Sequence, residues 1–365
     1  MQYYKLQDLC TDIIDCPHST PEWKTEGIRV VRNFNLKNGN LDFTDGYFVD
    51  EETYKNRIKR AVPEPDDIII SREAPMGVVG IVSKNLKCCL GQRLVLLKVD
   101  KAKCNPYYLL FMLMSDFVQT QFKRADATGS IVSNLCIPDL KEIIIPIIDE
   151  GQDKVANLLE TINNKILTNN KINDNLSAMA YDIYMHSFYG RKPNGKLDNI
   201  LIENEKSKVQ VGEAKNSDGD YPFFTSGEAI LRWNDDFVDG RNCFLNTGGN
   251  ADVKFYVGKA AYSTDTWCIS ANQNLADYMY LFLMSIKPEL NKKFFQGTGL
   301  KHLQKPLLRD RPIYIPATDE ISSFNSQVQH WFDIIGENTR ENQHLTALKD
   351  WLLPMLMNGQ ATICE

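Results

Sequence analysis

Long apolar runs are missing from this 365-residue chain. No segment approaches the roughly 18 apolar residues needed to cross a bilayer, so no membrane role is expected. The beginning, Met1-Gln2-Tyr3-Tyr4-Lys5 with Asp8 and Asp12 close behind, lacks the basic start and apolar stretch of a signal peptide, which points to the cytoplasm. Histidine is scarce, with 5 copies and no H-E-x-x-H, and the 9 cysteines are odd in number with no C-x-x-C pair. A metal site is therefore not expected, and the cysteines read as buried thiols of a reducing compartment. A basic excess is missing too: the net charge is -6. That excludes a protein that coats nucleic acid by neutralising many phosphates. It leaves room for a sequence-specific reader that gathers Lys and Arg on one face.

Catalytic motifs are absent as well. Asn105-Pro106-Tyr107-Tyr108 approaches the N-P-P-Y/F element of amino-methyltransferases, but the second Pro is missing and no F-x-G-x-G turn follows a strand anywhere. The plainer reading makes Asn105 a helix N-cap and Pro106 the first helical residue. Gly190-Arg191-Lys192-Pro193-Asn194-Gly195-Lys196 has phosphate-loop spacing. Leu197 then stands where a Mg²⁺-binding Ser or Thr is required, so the segment reads as a linker. Asp139 with Glu142 lacks the Lys that a nuclease carboxylate pair would need. No cofactor is implied.

What is present is a duplication. Ala127–Glu150, ATGSIVSNLCIPDLKEIIIPIIDE, aligns without a gap on Gly297–Glu320, GTGLKHLQKPLLRDRPIYIPATDE. Identities fall at Thr128/Thr298, Gly129/Gly299, Ile143/Ile313, Ile145/Ile315, Pro146/Pro316, Asp149/Asp319 and Glu150/Glu320. Upstream, Tyr108–Ser115 matches Tyr278–Ser285 at the same offset. Lys5-Leu6-Gln7-Asp8 resembles Lys196-Leu197-Asp198-Asn199 at a larger one. The first copy is thus longer by about twenty residues within its first half, which fits a surface insertion.

Each copy ends in a long helical pattern. Ile321, Phe324, Val328, Trp331, Ile335, Asn338, Asn342 and Leu345 step by 3 and 4, as do Val155, Leu158, Ile162, Asn169, Ile172, Leu176, Met179 and Ile183, with a polar step at Lys165. Neither stripe can be buried alone, so the two helices are expected to pair. Leu159, Ile166 and Trp351 are then expected on outer faces, partly exposed. Asp67–Ser71, Leu94–Val99, Ile143–Ile145 and Lys254–Val257 read as strands. The fold class is therefore α/β (α+β): two tandem mixed α/β domains separated by two long antiparallel coiled-coil helices. The boundaries follow as a first domain over 1–150, a first helix over 151–189, a linker over 190–195, a second domain over 196–320, and a second helix with tail over 321–365.

The whole pattern resembles the specificity subunits of type I restriction-modification systems. The resemblance rests on the duplication and on Asp67-Ile68-Ile69-Ile70 with Gly77 and Gly80. It rests also on Tyr221-Pro222-Phe223-Phe224-Thr225-Ser226-Gly227, on the paired I-x-I-P-x-x-D-E endings, and on the closing Leu352–Gln360. It implies a non-catalytic subunit whose two domains are target-recognition domains reading a bipartite double-stranded DNA target. Its implied partners are two methyltransferase subunits that methylate adenine and, in a restricting complex, restriction/translocase subunits. A stand-alone DNA adenine methyltransferase and a coiled-coil adaptor without DNA contact are the alternatives. Base edges are read by Arg or Lys on guanine and by Asn or Gln on adenine. Such residues at strand ends and in basic turns are Arg72, Gln92, Arg93, Lys123, Arg124 and Ser130 in the first copy. In the second they are Asn250, Lys254, Lys292, Lys293, Thr298 and Lys301. The paired helices are expected to set the gap between the two half-sites.

Overall fold

The computed structural model describes residues 1–363 apart from 45, 127–133, 149, 273 and 358, and the side chain of Asp126. Two compact units emerge, Met1–Asn164 with Thr346–Glu365, and Lys165–Leu345.

In the first unit the strands are β1 (Gln2–Lys5), β2 (Cys10–Asp15), β3 (Ile28–Val31), β4 (Phe48–Val49), β5 (Ile68–Ser71), β6 (Val79–Ile81), β7 (Cys88–Leu90), β8 (Leu94–Val99) and β9 (Ile144–Ile147). An antiparallel sheet has the order β2-β8-β5-β6. A smaller sheet, β4-β3-β7, pairs β3 with β7 in parallel. Strand β5 is apolar without alternation because both its faces are covered. Ile68 and Ile70 point into one core with Val95 and Leu97, while Ile69 points into another with Val31, Leu90 and Leu96. The first core is closed by helix α1 (Pro106–Met114), seven of whose residues are buried. Helix α2 (Asp116–Asp126) follows. Asn105 does cap α1: its Oδ1 accepts from the Tyr107 and Tyr108 amides at 2.9 and 3.2 Å.

Helix α3 (Gln152–Ser187) leads into the second unit. Its strands are β10 (Gly195–Lys196), β11 (Leu201–Glu203), β12 (Tyr221–Phe224), β13 (Ile230–Trp233), β14 (Arg241–Asn246), β15 (Val253–Val257), β16 (Ala261–Tyr262) and β17 (Thr266–Ala271). Helix α4 (Ala276–Ser285), strand β18 (Pro312–Ile313) and helix α5 (Thr318–Met357) follow, the part of α5 from Thr346 onward belonging to the first unit. The plan repeats: a sheet β11-β17-β14-β15, and a smaller sheet β13-β12-β16 whose β12/β16 pair is parallel. Cys243 and Leu245 face the helix-side core, and Phe244 faces the other with Phe224 and Tyr262. The terminal pair β1/β9 is answered by β10/β18.

The insertion lies where the unequal offsets put it. Residues 32–67 of the first unit, which include a short hairpin over 36–41 and a helix Glu51–Arg57, answer to 225–242 of the second. The gapless alignment does not hold throughout. Leu135 N donates to Arg72 O at 2.9 Å, and the equivalent bond in the second unit is Leu303 N to Thr247 O at 3.0 Å. Leu135 therefore answers to Leu303 and not to Lys305.

Within the second unit α3 and α5 run antiparallel, since Lys165 pairs with Glu341, Asn169 with Asn342 and Asn173 with Asn338. Ile321, Phe324 and Val328 are buried, but so is Phe332, and on α3 the buried face continues at Ala180 and Tyr184 and, just past its end, at Phe188. Ile172 and Met179, expected in the seam, are exposed. A straight helix of 3.6 residues per turn drifts from a 3.5 repeat, and the aromatic residues take over the contact. Leu159 also differs from expectation. It is fully buried in the first unit's core beside Val155 and Leu356, whereas Trp351 is exposed and Ile166 half-buried.

Candidate nucleic-acid interface

Both units bring three loops together at the same end of their main sheet. In the first these follow β3 (32–35), β5 (72–78) and β7 (91–93); in the second they follow β12 (225–229), β14 (247–252) and β16 (263–265). Equivalent backbone bonds fix the correspondence. Gly91 N donates to Val31 O as Ser263 N does to Phe224 O, and Arg72 N donates to Arg93 O as Thr247 N does to Asp265 O. A buried polar residue at the end of the central strand shapes the middle loop in both. Ser71 Oγ donates to Pro75 O at 2.6 Å and accepts from Val78 N. Asn246 Nδ2 donates to Gly248 O and Asn250 O, and its Oδ1 accepts from Asp252 N.

In the first unit the loops enclose a depression of about 340 Å³ lined by Trp23, Arg32, Asn33, Phe34, Gln92 and Arg93 among others. The Arg32 guanidinium lies 4.5, 5.1 and 5.4 Å from the ring centroids of Tyr47, Phe34 and Trp23. Arg93 is exposed and pairs with Glu73 at 3.2 Å. Its φ of 65°, like the 44° of Ala74 across the depression, is left-handed backbone that a non-glycine residue adopts at a cost of ~1–3 kcal/mol.

The expected contact residues divide by what holds them. Arg72 is engaged within the fold: Nε donates to Leu135 O at 3.0 Å and Nη1 pairs with Asp15 at 3.1 Å. It thus anchors the chain that follows residues 127–133. Lys254 is engaged likewise, donating to Thr225 O at 3.0 Å and Gly227 O at 2.6 Å, with Asp252 at 3.2 Å. Gln92 Nε2 donates to His18 O. Arg93 and Asn250 stand at loop tips. Gly249 N donates to Lys301 O at 2.9 Å, which brings the Asn250 loop beside the exposed Thr298 and Lys301. Lys123 and Arg124 are exposed on the last turn of α2. Lys292 is exposed, and Lys293 pairs with Glu289 at 3.0 Å. Ser130 lies outside the described residues.

Arg32, Asn33 and Phe34, and their counterparts Thr225, Ser226 and Gly227, stand at this sheet end without being among the contact residues expected from sequence. The available signal was the Tyr221–Gly227 motif, which ends at this loop. Among the described residues no three His, Cys, Asp or Glu side chains gather as metal ligands, and no helix is long and apolar enough to cross a membrane. Burial pushes the thiols of Cys10, Cys88, Cys104 and Cys268 up to about 12, which leaves them protonated and poor nucleophiles near neutrality.

The family model for the type I restriction modification DNA specificity domain matches residues 1–178 and again 195–345. This chain belongs to that family. Specificity subunits are the non-catalytic members of type I systems, and the two matches coincide with the two copies of the repeat. Two relatives come from Methanocaldococcus jannaschii. One, provisionally named the specificity subunit of type I restriction enzyme MjaX, is 22% identical over 92% of this chain and 88% of its own length. The other, the type I restriction enzyme MjaIX specificity subunit, is 21% identical over 87% and 82%. In fold the chain is similar to the type I restriction-modification S subunit of M. genitalium, with a TM-score of 0.60 at 14% identity, over 96% of this chain and 94% of that one.

Proposed function

We propose that this specificity subunit reads a bipartite double-stranded DNA target, one half-site per unit. It directs two methyltransferase subunits to that target and, in a restricting complex, restriction/translocase subunits as well. The observation that carries this reading is one architecture built twice with different loops at the same sheet end: Arg32, Arg72 and Arg93 in one unit stand where Thr225, Thr247 and Asp265 stand in the other. A scaffold kept while its loops change is what reading two different base sequences requires. A cytoplasmic location follows from the substrate.

In the same reading the paired helices act as a spacer. Inserting about one helical turn, roughly four residues, near Asn169-Asn170 with a matching turn in α5 lengthens the unspecified gap between half-sites and leaves both half-sites intact. An unchanged gap, or altered specified bases, contradicts the spacer role.

Purified full-length protein tests the core of the proposal. It is expected to bind duplex DNA with an affinity that falls steeply with salt, and to transfer no methyl group by itself. Methyl transfer by the chain alone, or an absence of duplex binding both alone and with methyltransferase subunits, contradicts it.

A further inference from the structure

Resting on that reading, the geometry points to the first unit as the guanine-reading half, with Arg32 and Arg93 contacting guanine edges. Arg32 carries the argument. Three aromatic rings hold its guanidinium at 4.5 to 5.4 Å. Rings fix the plane of a guanidinium by stacking and by attraction to their faces, but they do not occupy its N–H edge. Among the described residues no carboxylate pairs with Arg32 and no acceptor takes a hydrogen bond from its guanidinium; its backbone is tied to Asn35, the amide donating to Oδ1 and the carbonyl accepting from the Asn35 amide, both at 2.9 Å. A planar fork held in place with its donors free matches the O6 and N7 acceptors of guanine in the major groove. Arg93 stands beside it on left-handed backbone, and its ionic partner among the described residues, Glu73, is displaceable because the arginine is more than half exposed.

A phosphate could be met by the same donors, and the internal repeat argues against it. The sugar-phosphate backbone presents the same charge to both units, so a position that contacts phosphate should stay basic in both. At these two positions the second unit has Thr225 and Asp265. The Thr225 hydroxyl is bonded to Gly227 O and Ala229 O, and an aspartate would repel phosphate. A position that changes from arginine to aspartate between copies is one that follows the base.

The test is base-resolution mapping of methylated adenines in cells carrying the parent chain, Arg32→Ala, Arg32→Lys, Arg93→Ala or Asn250→Ala. A second arm measures binding of parent protein to cognate duplexes in which each guanine in turn is replaced by 7-deazaguanine, which lacks N7. The expected result is that one half-site contains guanine and that the arginine variants lose about tenfold or more preference for it. The other half-site, which Asn250→Ala disturbs, stays intact and reports that the protein is folded. 7-Deazaguanine should weaken the parent at the same position. The inference is overturned by a first half-site without guanine, by 7-deazaguanine that costs nothing in that half-site, or by uniform weakening across all sequences with a shallower salt dependence, the mark of a phosphate contact. If no bipartite motif depends on the chain at all, the proposed function itself fails, a result distinct from each of these.

Discussion

At the scale of single residues, the charged side chains that the sequence puts forward serve two different ends. Lys254 is only 16% exposed and holds two turn carbonyls of the Thr225–Gly227 loop. Lys254→Met is therefore expected to lower the stability of the second unit by about 1.5–3 kcal/mol, since charged hydrogen bonds are lost and carbonyls are left unpaired. A thermal unfolding curve reads this, and a melting point unchanged within a degree contradicts it. Asp277 offers a pH signature. Burial is the main cause that raises its pKa to about 6, against the opposing attraction of Arg241 at 2.7 Å. The folded state thus holds a proton between the ordinary carboxyl value and about 6 that the unfolded state has released. Stability from this group is highest below that window and falls as pH rises through it. Asp277→Asn should remove that part of the slope, so the variant gains relative to its parent as pH increases from about 4 to 6. A constant difference between the two would show that the carboxyl is already ionised throughout.

Helices, strands and loops differ in how plainly the sequence announces them. Strand β5 was legible because three isoleucines in a row have no other use than a strand covered on both faces. Helix α1 was legible because Asn105-Pro106 marks its start. The interface loops were not, since 32–35, 72–78 and 91–93 are short polar stretches far apart in sequence, and only the strand order brings them to one end. Periodicity also misplaced Ile172, Met179 and Leu159, because a repeat of 3 and 4 cannot report which helical face a neighbouring sheet covers. What it did find is the polar middle of the helix pair. Asn169 is buried, and its Nδ2 donates to Glu341 at 2.7 Å and Asn342 at 3.0 Å; Asn342 in turn donates to Asn170 at 2.8 Å. Such a layer fixes register at some cost in stability. Asn169→Leu alone should destabilise the pair by about 1–3 kcal/mol by orphaning its partners. Asn169→Leu with Asn342→Leu should recover that loss while hydrogen exchange over 165–187 becomes faster. Slower exchange in the double variant would mean the asparagines do not define the register.

For the whole molecule, duplication is the organising fact, and it was readable because both copies end in the same I-x-I-P-x-x-D-E pattern, although β9 and β18 close each unit two residues out of that alignment, with Lys5 against Ile144 and Lys196 against Pro312. Loop chemistry is where the copies part, with arginine and aromatic rings in one and Thr, Asn and Asp in the other. The proposal of one half-site per unit makes a direct demand: methylation should follow a motif of two specified halves. Mapping methylated adenines at base resolution, in cells with and without this chain, tests that demand most directly. The account predicts a single bipartite motif, methylated only when the chain is present. A motif that persists without it, or one continuous specified sequence with no gap, would contradict the account.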